Sequence, residues 1–244
     1  MKTLTRVFSL AIAVALPSIA IAQSSIDSIL ADPSRPEADR ERDATTQPDL
    51  IVDFFDIGPG NQVADLLAGG GYFTRILVPL VGADGRIYSG NNPFFDGFFG
   101  EALTALLSED GFEDVVRIDA PVDGLPLPVD GSLDAAIMVQ AYHDLLLGEE
   151  DRNSMNRSVF MALKSGGVYG IVDHAAAPGS GTSATESLHR IDKQFVIDEV
   201  EAAGFDFVSE ADYLSNPDDD HTATIFDPSM RGQTDRFVLR FEKP

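Results

Sequence analysis

An α/β fold, doubly wound on a mostly parallel sheet of seven strands with an antiparallel strand at its C-terminal end, is what these 244 residues predict. Three observations lead there. Short apolar runs of β type alternate with helical periodicities, the pattern of repeated strand-helix-strand units. The first run, Val63 to Leu66, enters a turn at Ala68-Gly69-Gly70-Gly71, where the lack of Cβ atoms lets backbone amides approach a ligand at the start of a helix. Leu133 to Val139 is almost continuously apolar, as expected of a strand buried on both faces.

The elements follow in order. Lys2 and Arg6 precede Val7 to Leu16, a run whose only polar member is Ser9, and Ala20-Ile21-Ala22 supplies small residues at the cleavage spacing. Residues 1–22 therefore read as a Sec-type signal peptide cut near Ala22-Gln23, and a periplasmic or secreted protein is expected. The run is shorter than the roughly 20 residues a spanning helix needs, no later stretch is long enough, and no membrane insertion is expected. The sequence has no cysteine, so neither a lipidated cysteine nor a disulfide stabilises the chain. About 222 residues remain, enough for one α/β core.

Residues 23–46 interleave Arg35, Arg40 and Arg42 with Glu37, Asp39, Glu41 and Asp43 behind Pro33 and Pro36, which suggests an extended lead-in and then a short charged helix. Residues 47–244 form the main domain. Pro48 opens a helix with Leu50, Ile51, Phe54 and Phe55 on one face, and Gly58-Pro59-Gly60 stops it. After the first strand a helix runs through Arg75-Ile76-Leu77, carries Pro79 and ends at Gly82. Ala83-Asp84-Gly85 turns the chain into a second strand, Arg86 to Ser89; a helix around Ala102 to Leu107 precedes a third, Val115 to Ile118.

Pro121 to Asp130 then leads into the fourth strand at Leu133. Met155, Val159, Phe160 and Leu163 mark a helix ended by Lys164-Ser165-Gly166-Gly167, and Val168 to Val172 is the fifth strand. Asp192 caps a last helix closed by Gly204, and Phe205 to Val208 and Phe237 to Phe241 complete the seven strands around a polar loop, Ser215 to Asp235. Phe94 and Phe98 fall on one helical face with Phe95 and Phe99 adjoining, and are expected to pack in the core.

The formal charge is -23, and it reaches -25 once Lys2 and Arg6 are removed with the signal. Phosphate-rich partners are repelled by such a surface, so nucleic acid and anionic lipid surfaces are poor partners of this acidic protein, which leaves a small-molecule substrate open.

Taken together, Asp65 near the end of the first strand with Gly69-Gly70-Gly71-Tyr72-Phe73, then Gly85-Arg86-Ile87-Tyr88, Asp119-Ala120, Asp134-Ala135-Ala136 and Leu163-Lys164-Ser165-Gly166-Gly167 resemble the class I S-adenosylmethionine-dependent methyltransferases. The resemblance spans Pro48 to Phe241. More narrowly it is similar to a group of predicted exported bacterial methyltransferases with look-alikes of Tyr142-His143-Asp144 and Val172-Asp173-His174. It implies a Rossmann-like methyltransferase fold and S-adenosylmethionine as cofactor. Asp65, Ala68 and Gly69 to Gly71 would hold the methionyl part, Asp119 and Ala120 would flank the adenine, and Gln140 would complete the set. Two positions depart from the pattern. Leu67 stands where the family has its first glycine, and Asn91 stands where an acid normally accepts both ribose hydroxyls, a charge-assisted contact about twice as strong as a neutral one.

Four histidines carry the remaining chemistry. Ligands of an open parallel sheet bind beyond the carboxyl ends of its strands, so His143, after the fourth strand, and His174, after the fifth, belong on the cofactor side. With Asp144 beside it, His143 is the candidate base or acceptor-positioning group, and His174 joins them in the candidate catalytic set. Asp173 and His189 extend the cluster, but the spacings match no standard metal motif, and no metal is expected. His221 follows Asp218-Asp219-Asp220 in what reads as a flap bounded by Pro217 and Pro228. Two functions follow: an exported methyltransferase for a small or envelope-derived acceptor, or the same fold kept after export as a binding module or as a different, metal-assisted enzyme.

Overall fold

The computed structural model describes residues 25–147 and 151–244. The expected signal segment, residues 1–22, lies outside them. Eight helices and seven strands are assigned among the described residues: α1 Ile26–Leu30, α2 Glu37–Thr46, α3 Pro48–Phe54, β1 Gln62–Leu66, α4 Tyr72–Val81, β2 Arg86–Gly90, α5 Pro93–Leu107, β3 Val116–Arg117, β4 Leu133–Val139, α6 Arg152–Ala162, β5 Leu163–His174, α7 Thr185–Leu188, α8 Lys193–Ala202, β6 Asp206–Ala211 and β7 Arg236–Glu242. No helix among them is long and apolar enough to cross a membrane.

The strands form one sheet in the order β3-β2-β1-β4-β5-β7-β6. The first five are mutually parallel, and β7 is inserted antiparallel to both β5 and β6. Strand alternation divides the core in two. Val63, Ile87, Ala135, Ile137, Val172 and Val238 point toward α1, α3 and α4; Ala64, Leu66, Ala136, Met138, Tyr169 and Ile171 point toward α6 and α8. Each fully buried aliphatic side chain contributes roughly 1.5–3 kcal/mol, so these two layers supply most of the stability.

Several expectations are revised. The lead-in is not extended, because Ser25 caps α1 by accepting from the Ser28 amide. Leu50 is exposed while Ile51 and Phe55 are fully buried. Helix α5 begins at Pro93, capped by Asn92, rather than near Ala102. As a result Phe94, Phe98 and Phe99 face outward and only Phe95 enters the core. Strand β5 continues through Asp173 and His174, whose partners across the ladder are Phe237 and Arg236 of β7.

One helix lies across the carboxyl ends of the strands. From α2, Arg42 donates to Gln140 Oε1 just beyond β4, Asp43 accepts from the Tyr72 hydroxyl at the start of α4, and Thr45 offers its carbonyl to Arg236 of β7. Arg42 also stacks 4.2 Å from the centre of the Tyr72 ring. This helix roofs the end of the sheet where a ligand would bind.

Candidate active site at the carboxyl ends of the strands

The site has two halves. The first is the glycine turn after β1. Gly69 and Gly71 adopt left-handed φ of 59° and 88°, which glycine alone takes without penalty. A Cβ on Gly71 would meet Leu106 at 2.2 Å, so the turn also lets α5 pack closely. Leu67, at the position where the resemblance expects glycine, is itself left-handed at 52° and buried.

Asn91, fully buried beyond β2, pairs with Gly69 through both ends of its amide: Oδ1 accepts from the Gly69 N–H at 2.9 Å and Nδ2 donates to the Gly69 carbonyl at 3.0 Å. The Asn91 backbone is equally engaged, its N–H donating to Asp119 Oδ1 and its carbonyl accepting from Ala120. The second Asp119 oxygen is paired with Arg117. Asp65 accepts from the Thr74 hydroxyl at 2.6 Å, and burial pushes its carboxyl up to about 6 despite that bond. Ala68, Gly69 and Gly70 keep surface open to solvent, and Gln140 stays partly accessible. Around them, the polar groups of this half are largely satisfied by the chain itself.

The second half lies beyond β4 and β5. His143 opens a short 3-10 turn, His143–Leu146, and is 1% exposed. Asp173 holds it twice, accepting from its ring Nδ1 at 2.7 Å and its backbone N–H at 2.8 Å, while also accepting from the His174 N–H. On the other side of the ring Nε2 lies 3.2 Å from Asp144 Oδ1, out of alignment for a hydrogen bond, and is left buried without one. His189 Nδ1 approaches the same Asp144 oxygen at 2.9 Å. The rings of His174 and His189 stand 5.9 and 5.5 Å from that of His143, both edge-on.

Burial opposes charge on His143, yet Asp173 and then Asp144 outweigh it and push the imidazole up to about 10. His174 moves the other way, held well below its ordinary value first by burial, then by the positive charges of His143 and Arg236. Its Nδ1 is 2.8 Å from the Thr234 hydroxyl. Asp144 is lowered, because the two histidines overcome its burial.

The structure thus gathers His143, Asp144 and His174 with Asp173 and His189, and leaves His221 apart, bonded through Nε2 to Asp235 at 2.9 Å. The loop before β7 does cover the site. Phe226 packs edge-on against His189 at 4.7 Å, and the Ile225 amide bonds the Leu188 carbonyl. Arg190, wholly buried, anchors that loop by pairing with Asp219 and donating to the carbonyls of Ala175 and Ala223. Gln140, His189 and His221 are left-handed non-glycine residues like Leu67, and such strain gathers where function over-determines the backbone. Sequence reasoning did not find Arg42, Thr234, Arg190 or Phe226. Arg42 stands in the charged run before Pro48 and Phe226 in the polar loop before β7, but no local pattern marks either of them, or Thr234 and Arg190, as part of the site.

No protein-family model matches the sequence, and no curated protein does. Solved structures do. A SAM-dependent methyltransferase from Aquifex aeolicus is 18% identical with a TM-score of 0.59, covering 89% of this chain and 98% of its own. Geranyl diphosphate C-methyltransferase from Streptomyces coelicolor, solved with Mg2+, geranyl diphosphate and S-adenosyl-L-homocysteine, is 13% identical at 0.58 and covers 89% of each chain. The 4+2 cyclase SpnF is 18% identical at 0.59, covering 87% of this chain and 85% of its own. At these identities the likeness is one of fold: the seven-stranded sheet is that of class I methyltransferases.

Proposed function

We propose that this chain is an exported S-adenosylmethionine-dependent methyltransferase acting on a small or envelope-derived acceptor. The observation that carries the reading is the convergence of His143, Asp144 and His174 at the carboxyl ends of β4 and β5, beside the glycine turn of a methyltransferase fold. The open backbone at Ala68, Gly69 and Gly70, with Asp65 beneath and Gln140 across, fits a methionyl group; Asp119 and Ala120 would flank the adenine. When bound, the cofactor supplies an electrophilic methyl group. The residues do the rest by positioning, which supplies much of the rate of such a transfer. His143 and Asp144 orient the acceptor. His174, giving its Nδ1 hydrogen to Thr234, presents Nε2 to receive the acceptor's proton.

One observation favours a second reading. With both ends of its amide committed to Gly69, Asn91 has lost the contact that normally grips the ribose. A fold that has given up methyl transfer for a binding role or other chemistry would look like this. Thermal melting with S-adenosylmethionine and S-adenosylhomocysteine separates the two. At a hundredfold excess over the dissociation constant a true ligand stabilises by about 2.7 kcal/mol, roughly 5–10 °C for a domain of this size. No rise at millimolar ligand selects the second reading.

A further inference from the structure

We propose that His143, Asp144 and His189 form a binding site for one divalent transition-metal ion of zinc type. The three residues offer one ligand atom each, all within 4.8 Å of one another. Their separations are 3.2 Å from His143 Nε2 to Asp144 Oδ1 and 2.9 Å from there to His189 Nδ1. A tetrahedral ion with bonds of about 2.1 Å keeps its ligands about 3.4 Å apart, so these pairs need open by only a few tenths of an ångström.

An independent observation points at the same centre. His143 Nε2 is buried and has no hydrogen-bond partner, a costly state for a polar atom and one that a metal relieves. The opposite ring nitrogen is arranged as metal sites require. With Nδ1–H donated to Asp173 at 2.7 Å, and Asp173 fixed by the amides of His143 and His174, Nε2 is directed at Asp144, and an ion bound there displaces the Nε2 proton of the charged imidazole to solvent. Such a carboxylate behind a ligating histidine sets its tautomer and raises its basicity.

The donor set is two imidazoles and a carboxylate, which suits Zn, Mn or Fe. Asp144 and Asp173 together balance the charge of a dication. Three protein ligands leave a coordination position for water or an acceptor oxygen, as catalytic sites do and structural ones do not. The residues escape any sequence motif because two are adjacent and the third arrives from a distant turn, where its left-handed backbone and the buried Arg190 after it fix its direction.

The site stands apart from the cofactor reading and is tested without the cofactor. Tag-free protein is titrated with Zn2+ and Co2+, with metal content measured after dialysis and Co2+ followed by its visible spectrum. Expected are one ion per chain and the strong absorption of tetrahedral cobalt. His189→Gln and Asp144→Asn, at partly accessible positions, should keep their circular dichroism while abolishing that spectrum. Asp173→Asn should weaken binding roughly ten- to hundredfold. Binding unchanged in all three variants is adventitious surface binding and overturns the proposal; so does an absence of tetrahedral cobalt at millimolar metal. Either failure leaves methyl transfer to be judged by its own ligand, just as a silent melt with S-adenosylmethionine leaves the metal result intact.

Discussion

The two halves of the site differ in what they leave unfinished. On the glycine side, Asn91, Gly69, Asp119, Ala120 and Asp65 close a circuit of hydrogen bonds among themselves and their neighbours. On the histidine side, two imidazoles are driven to opposite protonation states within 5.9 Å, and a buried nitrogen stands unpaired. Environments that drive neighbouring titratable groups apart are what acid-base chemistry needs. The stronger sequence motif therefore marks the quieter half, and the reactive half has almost no motif.

The largest effect should come from breaking the histidine half. Asp173→Ala strands His143 and two backbone amides in the core, and removing one partner of a buried ionic pair costs about 3–5 kcal/mol. Urea denaturation should show that loss. A change under 1 kcal/mol would mean that Asp173 merely fills space, and the contrast between the halves would fail.

Next in size is a pH effect on the glycine half. Asp65 in the folded protein sits at about 6, above its ordinary 3.8, because burial disfavours the carboxylate. A raised value means that the proton stabilises the fold: the contribution is complete below about pH 4 and is lost as pH rises through 6. At 1.36 kcal/mol for each pH unit the full loss is about 3 kcal/mol. Stability of the parent relative to Asp65→Asn should fall by that amount between pH 4 and 7, and a flat difference would refute the assignment.

A smaller effect tests the lock between Asn91 and Gly69. Asn91→Asp gives back the carboxylate the family pattern expects but withdraws the donor to the Gly69 carbonyl. An unsatisfied buried acceptor costs about 1–3 kcal/mol. The variant should melt lower than the parent without ligand, and with S-adenosylmethionine it should recover more than the parent does. Equal recovery in both would show that Asn91 never stood at the ribose.

How much of this was legible beforehand follows from the range of the signals. The alternation of strands and helices comes from local periodicity, so β1, β4 and the caps at Pro48, Gly82 and Asp192 were readable residue by residue. The left-handed demand at Leu67 was not, since the residue type argues against it. Nor was Asn91 bonding Gly69, a contact across 22 residues with no spacing rule. His143, Asp144 and His174 could be put on the correct edge by topology alone. Their meeting with Asp173 depends on β5 running two residues further than its apolar stretch, and their meeting with His189 depends on a turn anchored by Arg190. Those contacts are long-range choices, invisible to periodicity.

Helix α5 gives the last and smallest test, because it belongs to the quiet half. Its inner face is spent on the turn: Leu103 and Leu106 crowd the place of a Gly71 side chain, and Ala102 lies 3.4 Å from that of Gly70. Its outer face carries Phe98, 71% exposed and in contact with Phe94 and Phe99 only along the helix itself. If α5 serves only to seat the turn, Phe98→Ser should change stability by no more than about 0.5 kcal/mol, the ordinary range for a surface position. The same variant also asks whether the phenylalanines form a wall for an apolar acceptor. A raised KM with unchanged melting would draw this face into the working site, and the glycine half would then share in recognising the acceptor. No change in either would confine recognition to the histidine side, where the buried charge and the unpaired nitrogen already lie.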